Sequence, residues 1–278
     1  MTGPTTLPGP ALLFCPADRP DRYAKALAAA DGVILDLEDA VSADNKDTAR
    51  TALVAAVPDP ARVIVRVNPA GTPEHAADLA ALRPTGYRRI MLAKTETGAQ
   101  LAELAELGDD WQVVALCETA RGIVNAAEIA AAPNVIALMW GAEDLIASMR
   151  GRTSRYPDGR YRDVARHARS TVLLAASACG KAAIDAVYVD IPDLDGLAAE
   201  SEDAAASGFS LKGCIHPTQA AVVRKAFRAD EAQIAWARRV LAAVRDASAQ
   251  DKGVLKVDGQ MIDAPLIRQA EAILASLR

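Results

Sequence analysis

Carboxylates carry most of the chemistry this sequence could perform, and they recur at one kind of position. Asp36, Glu38 and Asp39 cluster at the end of the apolar run 33–37, Glu118 follows the run 113–117, and Glu143 and Asp144 follow the run 135–140. Other polar groups sit the same way: Arg66 and Asn68 at the run 63–67, Lys94 and Glu96 after 90–93, Arg121 just beyond Glu118, Asp190 after 186–189 and His216 after 212–215. Carboxylates gathered at one place repel one another unless a cation lies among them. Cys/His clusters, the usual ligand set for zinc, are absent from the sequence. Hard carboxylate oxygens suit Mg²⁺, which takes one or two of them and completes its shell with substrate oxygens and water. The pattern points to a divalent cation that polarises an oxygen-rich anionic substrate, with Arg66 countering the substrate's charge.

These residues can meet only if the runs carrying them are parallel and end at one face. The eight runs, 11–15, 33–37, 63–67, 90–93, 113–117, 135–140, 186–189 and 212–215, are mostly continuous stretches of Val, Ile, Leu and Ala, as strands buried on both faces are. Ala-rich stretches with helical spacing separate them. One, at 22–27, is entered through Pro20; another runs from Arg162 to Cys179 and is closed by Gly180. Eight strand–helix repeats predict an α/β fold of the (β/α)8 TIM barrel type, with the active site at the C-terminal strand ends. An open doubly wound sheet is the alternative, but no Gly-x-Gly-x-x-Gly follows the first run. Beyond the eighth run, residues 219 to about 247 predict a helix, followed by a break at Gln250-Asp251-Lys252-Gly253 and a final helix from about Pro265. This reading divides the chain into a barrel, 1–250, and a C-terminal helical extension, 251–278, with packing or site-covering work to do.

The length of 278 residues suits one such barrel. A net charge of −5 leaves no electrostatic footprint for nucleic acid or an anionic membrane surface. No stretch is long and apolar enough to span a bilayer. The opening MTGPTTLPGP reads as a short disordered lead-in rather than a signal peptide. Cys15, Cys117 and Cys214 fall inside apolar runs, where Cys serves as a small hydrophobe, and a reducing cytoplasm is the expected setting.

Seven segments, in order, resemble the citrate lyase β-subunit-like family of the HpcH/HpaI aldolase/citrate lyase superfamily, and together they cover almost the whole chain. They are Leu13-Phe14-Cys15-Pro16-Ala17-Asp18-Arg19-Pro20, Val33-Ile34-Leu35-Asp36-Leu37-Glu38-Asp39-Ala40-Val41, Val65-Arg66-Val67-Asn68-Pro69, Glu118-Thr119-Ala120-Arg121-Gly122, Gly141-Ala142-Glu143-Asp144-Leu145, Cys214-Ile215-His216-Pro217 and Asp258-Gly259-Gln260-Met261-Ile262-Asp263. Two positions depart from the family pattern: Ala93 stands where a proline usually precedes the lysine, and Ala17 where a glycine is frequent.

The resemblance implies a role for each matching residue. Glu118 and Asp144 look like the ligands of a Mg²⁺ cofactor, and Arg66 and Glu118 like substrate-binding groups, with Arg66 on the carboxylate of the keto-acid half. Asp263 is similar to an aspartate lent to a neighbouring subunit of a homotrimer, where it acts catalytically beside Arg66 in proton transfer. Asp36, Glu38 and Asp39 are expected to stand behind these groups and orient them. The implied reaction is cleavage of a 3-hydroxyacyl-CoA of citramalyl, malyl or citryl type to acetyl-CoA plus an α-keto acid (oxaloacetate, pyruvate or glyoxylate). An aldolase acting on free hydroxy-keto acids, a citryl-carrier-protein lyase subunit and a non-catalytic keto-acid binder remain alternatives. His216 reads as a structural group, Lys94 as an unpromising Schiff-base amine, residues 150–155 as a solvated basic loop, and Trp111, Trp140 and Trp236 as packing residues.

Overall fold

The structure is a computed structural model describing residues 7–56, 58–249, 255–275 and 277. Eight strands form a closed barrel in sequence order: β1 (Ala11–Pro16), β2 (Gly32–Asp36), β3 (Val63–Val67), β4 (Arg89–Leu92), β5 (Gln112–Cys117), β6 (Val135–Trp140), β7 (Ala182–Asp185) and β8 (Leu211–Cys214). All neighbours are parallel, and β8 returns to pair with β1. This is the (β/α)8 TIM barrel the sequence predicts. Leu12, Ile34, Ile64, Met91, Val114, Leu116, Ala137, Met139, Ile184 and Leu211 form one core cluster from the strands. The alternating Val33, Leu35, Val63 and Val65 are equally buried. Burial of both faces explains why the strands read as unbroken apolar runs.

Two elements differ from the sequence reading. The seventh strand is Ala182–Asp185, not 186–189, and Asp190 lies exposed in the loop beyond it. The strand carries a buried charge, Asp185, which faces Lys212 of β8 in register, so a search for apolar runs passes it over. The helix expected over 219–247 is two helices, Pro217–Phe227 and Glu231–Ala249. Asp230 makes the break: its Oδ1 accepts from Gln233 N at 2.7 Å while Gln233 Oε1 accepts from Asp230 N at 2.9 Å, a reciprocal cap that starts a new helix.

The chain divides into two compact units, at Arg224/Lys225. The second contains the helix Glu231–Ala249, an antiparallel hairpin of β9 (Leu255–Val257) and β10 (Gln260–Ile262), and the helix Ala264–Ala275. Asp258 and Gly259 turn the hairpin with φ of 52° and 84°, the left-handed pair a two-residue turn needs. Ala237, Val240, Val257, Ile262 and Ala270 form its core, with Trp236 packed against them. The break expected at 250–253 and the lead-in 1–6 lie outside the described residues. Among the described residues no helix is long and apolar enough to cross a membrane.

Candidate active site

At the C-terminal end of the barrel the strands surround a cavity of ≈ 200 Å³, lined by Phe14, Asp36, Arg66, Leu116, Glu118, Met139, Asp144 and Val187 among others. Strand register sets its first pair. Asp36 and Arg66 are partners across β2 and β3, so their side chains emerge side by side. Arg66 Nε and Nη2 donate to Asp36 Oδ1 and Oδ2 at 2.6 and 2.5 Å, and Nη1 lies 3.1 Å from Glu38 Oε2. The guanidinium stands 5.0 Å from the centre of the Phe14 ring. Two of its five N–H groups are hydrogen-bonded to Asp36, and the guanidinium lines the cavity. Burial works against its charge, but the bonds to Asp36 and the charges of Asp36 and Glu38 prevail and raise its pKa. Asp36 is itself fixed by the N–H groups of Glu38 and Ala40, at 2.9 and 3.1 Å.

A second group of polar residues holds this turn from behind. Lys46 Nζ donates to Leu37 O, Glu38 O and Asn68 Oδ1 at 2.6, 2.7 and 2.9 Å. Asn68 Nδ2 donates to Leu37 O at 3.0 Å and to Asp78 Oδ2 at 2.7 Å, and Arg50 Nε holds the other oxygen of Asp78 at 2.8 Å. Looking past strand ends finds Asn68 without its purpose. It misses Lys46, Arg50 and Asp78, which sit on helices.

Glu118 follows β5 and is 3% exposed. Its Oε1 accepts from the backbone N–H of Lys94 at 3.1 Å. A Cβ on Gly141 would lie 2.9 Å from its Oε2 and 3.0 Å from its Cβ, so the chain leaving β6 passes close over Glu118 and a larger residue there would push its carboxylate aside. Burial, then the charge of Asp144, pushes the Glu118 carboxyl up to about 8. Asp144 lies in the first turn of the helix Ala142–Ser148 and is partly exposed. Among the described residues no lysine or arginine lies within ion-pair distance of Glu118. A divalent cation would supply what this buried carboxyl lacks, and an all-oxygen donor set fits Mg²⁺. No larger group of His, Cys, Asp and Glu suited to a metal occurs among the described residues.

Lys94 closes the acidic side. Its ammonium contacts Glu38 and lies 3.4 Å from Asp39 and 3.6 Å from Asp144. Burial lowers its pKa, but Glu38 more than offsets this and the net shift is upward, which disfavours the neutral amine a Schiff base requires. His216 is exposed at the start of its helix, with Nδ1 2.8 Å from Thr218 Oγ1. The basic loop divides: Arg150 and Arg152 are exposed, whereas Arg155 stacks 3.7 Å over Tyr161 and meets Glu200 at 2.8 Å. This corrects the reading of the loop as wholly solvated. Trp140 is buried as expected and lines the cavity, and its Nε1 donates to Asp185 at 2.7 Å. Asp36, Glu38, Asp39, Arg66, Glu118 and Asp144 thus meet at one mouth. Asp263 belongs to the second unit, where it is exposed and its Oδ1 accepts from Leu266 N at 3.3 Å to cap the last helix.

Carboxylates and an oriented arginine at the C-terminal mouth of the barrel mark this cavity as the candidate active site. The HpcH/HpaI aldolase/citrate lyase family model matches residues 11–217, which take in every barrel strand. The chain belongs to that family and is a carbon–carbon lyase. It is 56% identical over 266 residues to a citrate lyase subunit beta-like protein of Mycobacterium tuberculosis (strain ATCC 25618 / H37Rv), covering 96% of this chain and 94% of the relative. The crystal structure of protein CitE from Mycobacterium tuberculosis in complex with magnesium, acetoacetate and coenzyme A matches with a TM-score of 0.89 and 55% identity, over 96% of this chain and 97% of that one. A citrate lyase beta subunit from the same organism, complexed with oxaloacetate and magnesium, matches with a TM-score of 0.78 and 58% identity, over 80% of this chain and 98% of that one.

Proposed function

We propose that this protein is a Mg²⁺-dependent acyl-CoA lyase that cleaves a 3-hydroxyacyl-CoA to acetyl-CoA, or a close relative, and an α-keto acid such as oxaloacetate, pyruvate or glyoxylate. One observation carries the reading: Arg66, Glu118 and Asp144 line a single small cavity at the barrel mouth. Glu118 and Asp144 would hold the cation. When bound, Mg²⁺ supplies Lewis-acid polarisation of the substrate's oxygens. Arg66, held by Asp36 and Glu38, offers its remaining N–H groups to the substrate carboxylate and adds positive charge beside the reacting hydroxyl. The hydroxyl proton passes to solvent water as its carbon becomes the keto carbon, and the bond to the thioester α-carbon breaks. The electron pair passes to a thioester enolate, which takes a proton on carbon from Asp263 of a neighbouring subunit. A homotrimer supplies that neighbour, and Asp263 is exposed at the start of the last helix. The setting is a reducing cytoplasm, in keeping with the buried free thiols of Cys15, Cys117 and Cys214.

A panel of 3-hydroxyacyl-CoAs tests the function. Trapping the keto product as a hydrazone counts carbon–carbon cleavage, and a thiol reagent counts thioester hydrolysis separately. Magnesium-dependent keto acid from at least one thioester, without matching free thiol, is expected. Keto acid formed only from hydroxy-keto acids lacking CoA, or thiol released in its place, would reassign the enzyme.

A further inference from the structure

The bend after β4 adopts a conformation that lysine does not favour. Lys94 has φ +50°, in the left-handed region, which costs a residue with a Cβ about 1 kcal/mol or more. Thr95 holds the bend: its N–H donates to Leu116 O at 3.0 Å and its hydroxyl to Leu92 O at 2.8 Å. Gly122 packs against the same turn, since a Cβ there would fall 2.3 Å from Thr95 O. The surroundings therefore over-determine a strained backbone, and the bend has two consequences. The N–H of Lys94 points at Oε1 of Glu118, 3.1 Å away. The side chain reaches across the mouth, in contact with Glu38, 3.4 Å from Asp39 and 3.6 Å from Asp144. A single residue so touches both carboxylates assigned to the cation, one with a neutral N–H and the other with a full positive charge.

We propose that Lys94 is the positioning residue of the cation site: its N–H fixes Glu118, and its ammonium stands in for the divalent ion at Asp144, lowering the site's affinity for that ion. The proposal rests on the assignment of Glu118 and Asp144 as ligands. An ammonium beside Asp144 competes with a divalent cation for that carboxylate and repels it through space. Displacement needs only a short shift, because Glu38 and Asp39 keep the ammonium when Asp144 releases it. Glu38 also pairs with Arg66, so the displaced charge stays joined to the substrate clamp. Side-chain exposures of 30% for Lys94 and 38% for Asp144 mean that water screens part of the repulsion. The effect on affinity is therefore about tenfold rather than many orders of magnitude.

The test is Mn²⁺ binding to the full chain, without keto acid or CoA, read by electron paramagnetic resonance. Lys94→Gln removes the charge. Lys94→Gly removes it too, keeps the N–H that Glu118 accepts, and relieves the positive φ, so at least one variant should keep a native melting curve. Both are expected to bind Mn²⁺ about tenfold more tightly than the wild type, a gain that a purely structural lysine would not give. Affinity equal to or weaker than wild type in the folded Lys94 variants overturns the proposal. Asp144→Asn separates this from the ligand assignment: it should bind Mn²⁺ much more weakly, and wild-type binding there would instead remove Asp144 from the site.

Discussion

Asp36 and Arg66 are register partners on adjacent parallel strands, and two hydrogen bonds of 2.6 and 2.5 Å join their side chains. The guanidinium proposed to hold the substrate is therefore aimed by the sheet itself. Arg66→Lys keeps a charge but not the planar fork, and its kcat/KM should fall about a hundredfold. Asp36→Asn keeps the shape and loses the charge that holds the guanidinium, and should cost about tenfold. Steady-state kinetics on the best thioester decides this. An Arg66→Lys variant with wild-type kinetics would show that only charge is needed.

Strand-end reasoning found Asp36, Arg66, Glu118 and Asp144 because barrel geometry alone carries those positions to one face. β3 and β6 were legible to the residue because nearly every position in them is apolar, Arg66 of β3 excepted. β7 was not, since Asp185 is made tolerable by Lys212, Arg169 and Trp140, and none of these is its neighbour in sequence. Nothing in the sequence marks Lys46 or Asp78, which lie on helices away from the strand ends. Only the fold places Lys46 under the Leu37 and Glu38 carbonyls and Asp78 against Asn68. Lys94 was visible as a polar strand exit, yet its link to Glu118 runs through a backbone N–H, which no side-chain motif records.

Glu118 gives the site a pH dependence of known sign. With its carboxyl pushed up to about 8, the metal-free fold should keep this proton well above the pH near 4.5 at which an ordinary Glu loses it. Between those values the unfolded chain binds fewer protons, so the metal-free fold should lose about 1.4 kcal/mol of stability per pH unit, and Glu118→Gln should remove that slope. Binding Mg²⁺ expels the proton, so affinity should rise about tenfold per pH unit up to about pH 8 and then level off. Calorimetry in buffers of different ionisation enthalpy checks both the slope and the proton count. Affinity that does not change between pH 6 and 8 would count against it.

Lys212 is fully buried and bonds Asp185 and Glu200, each at 2.9 Å. Lys212→Met leaves Asp185 with Arg169 and Trp140, and Glu200 with Arg155. The loss should therefore fall at the low end of the range for a broken buried pair, about 3 kcal/mol in chemical denaturation. No change in the midpoint would mean that the remaining partners suffice.

Sharing of Asp263 between subunits can be read from mixed assemblies. Asp263→Asn and Arg66→Ala should each be nearly inactive alone, the first still binding Mg²⁺ and keto acid. Equal mixing with free exchange should restore roughly a quarter of sites, those pairing an Asp263→Asn barrel with an Arg66→Ala tail. Keto-acid formation after reassembly is the readout. Verified exchange without recovery would place Asp263 outside a shared site.

Glu118 and Asp144 should hold Mg²⁺ together where the keto acid binds. Isothermal titration of Mg²⁺ into the protein with oxaloacetate or pyruvate, for wild type, Glu118→Gln and Asp144→Asn, measures that directly. Saturable binding in the wild type, lost in both variants while their melting curves stay native, is the expected result. Undiminished binding in either folded variant would contradict the assignment of that carboxylate, and undiminished binding in both would move the metal site elsewhere.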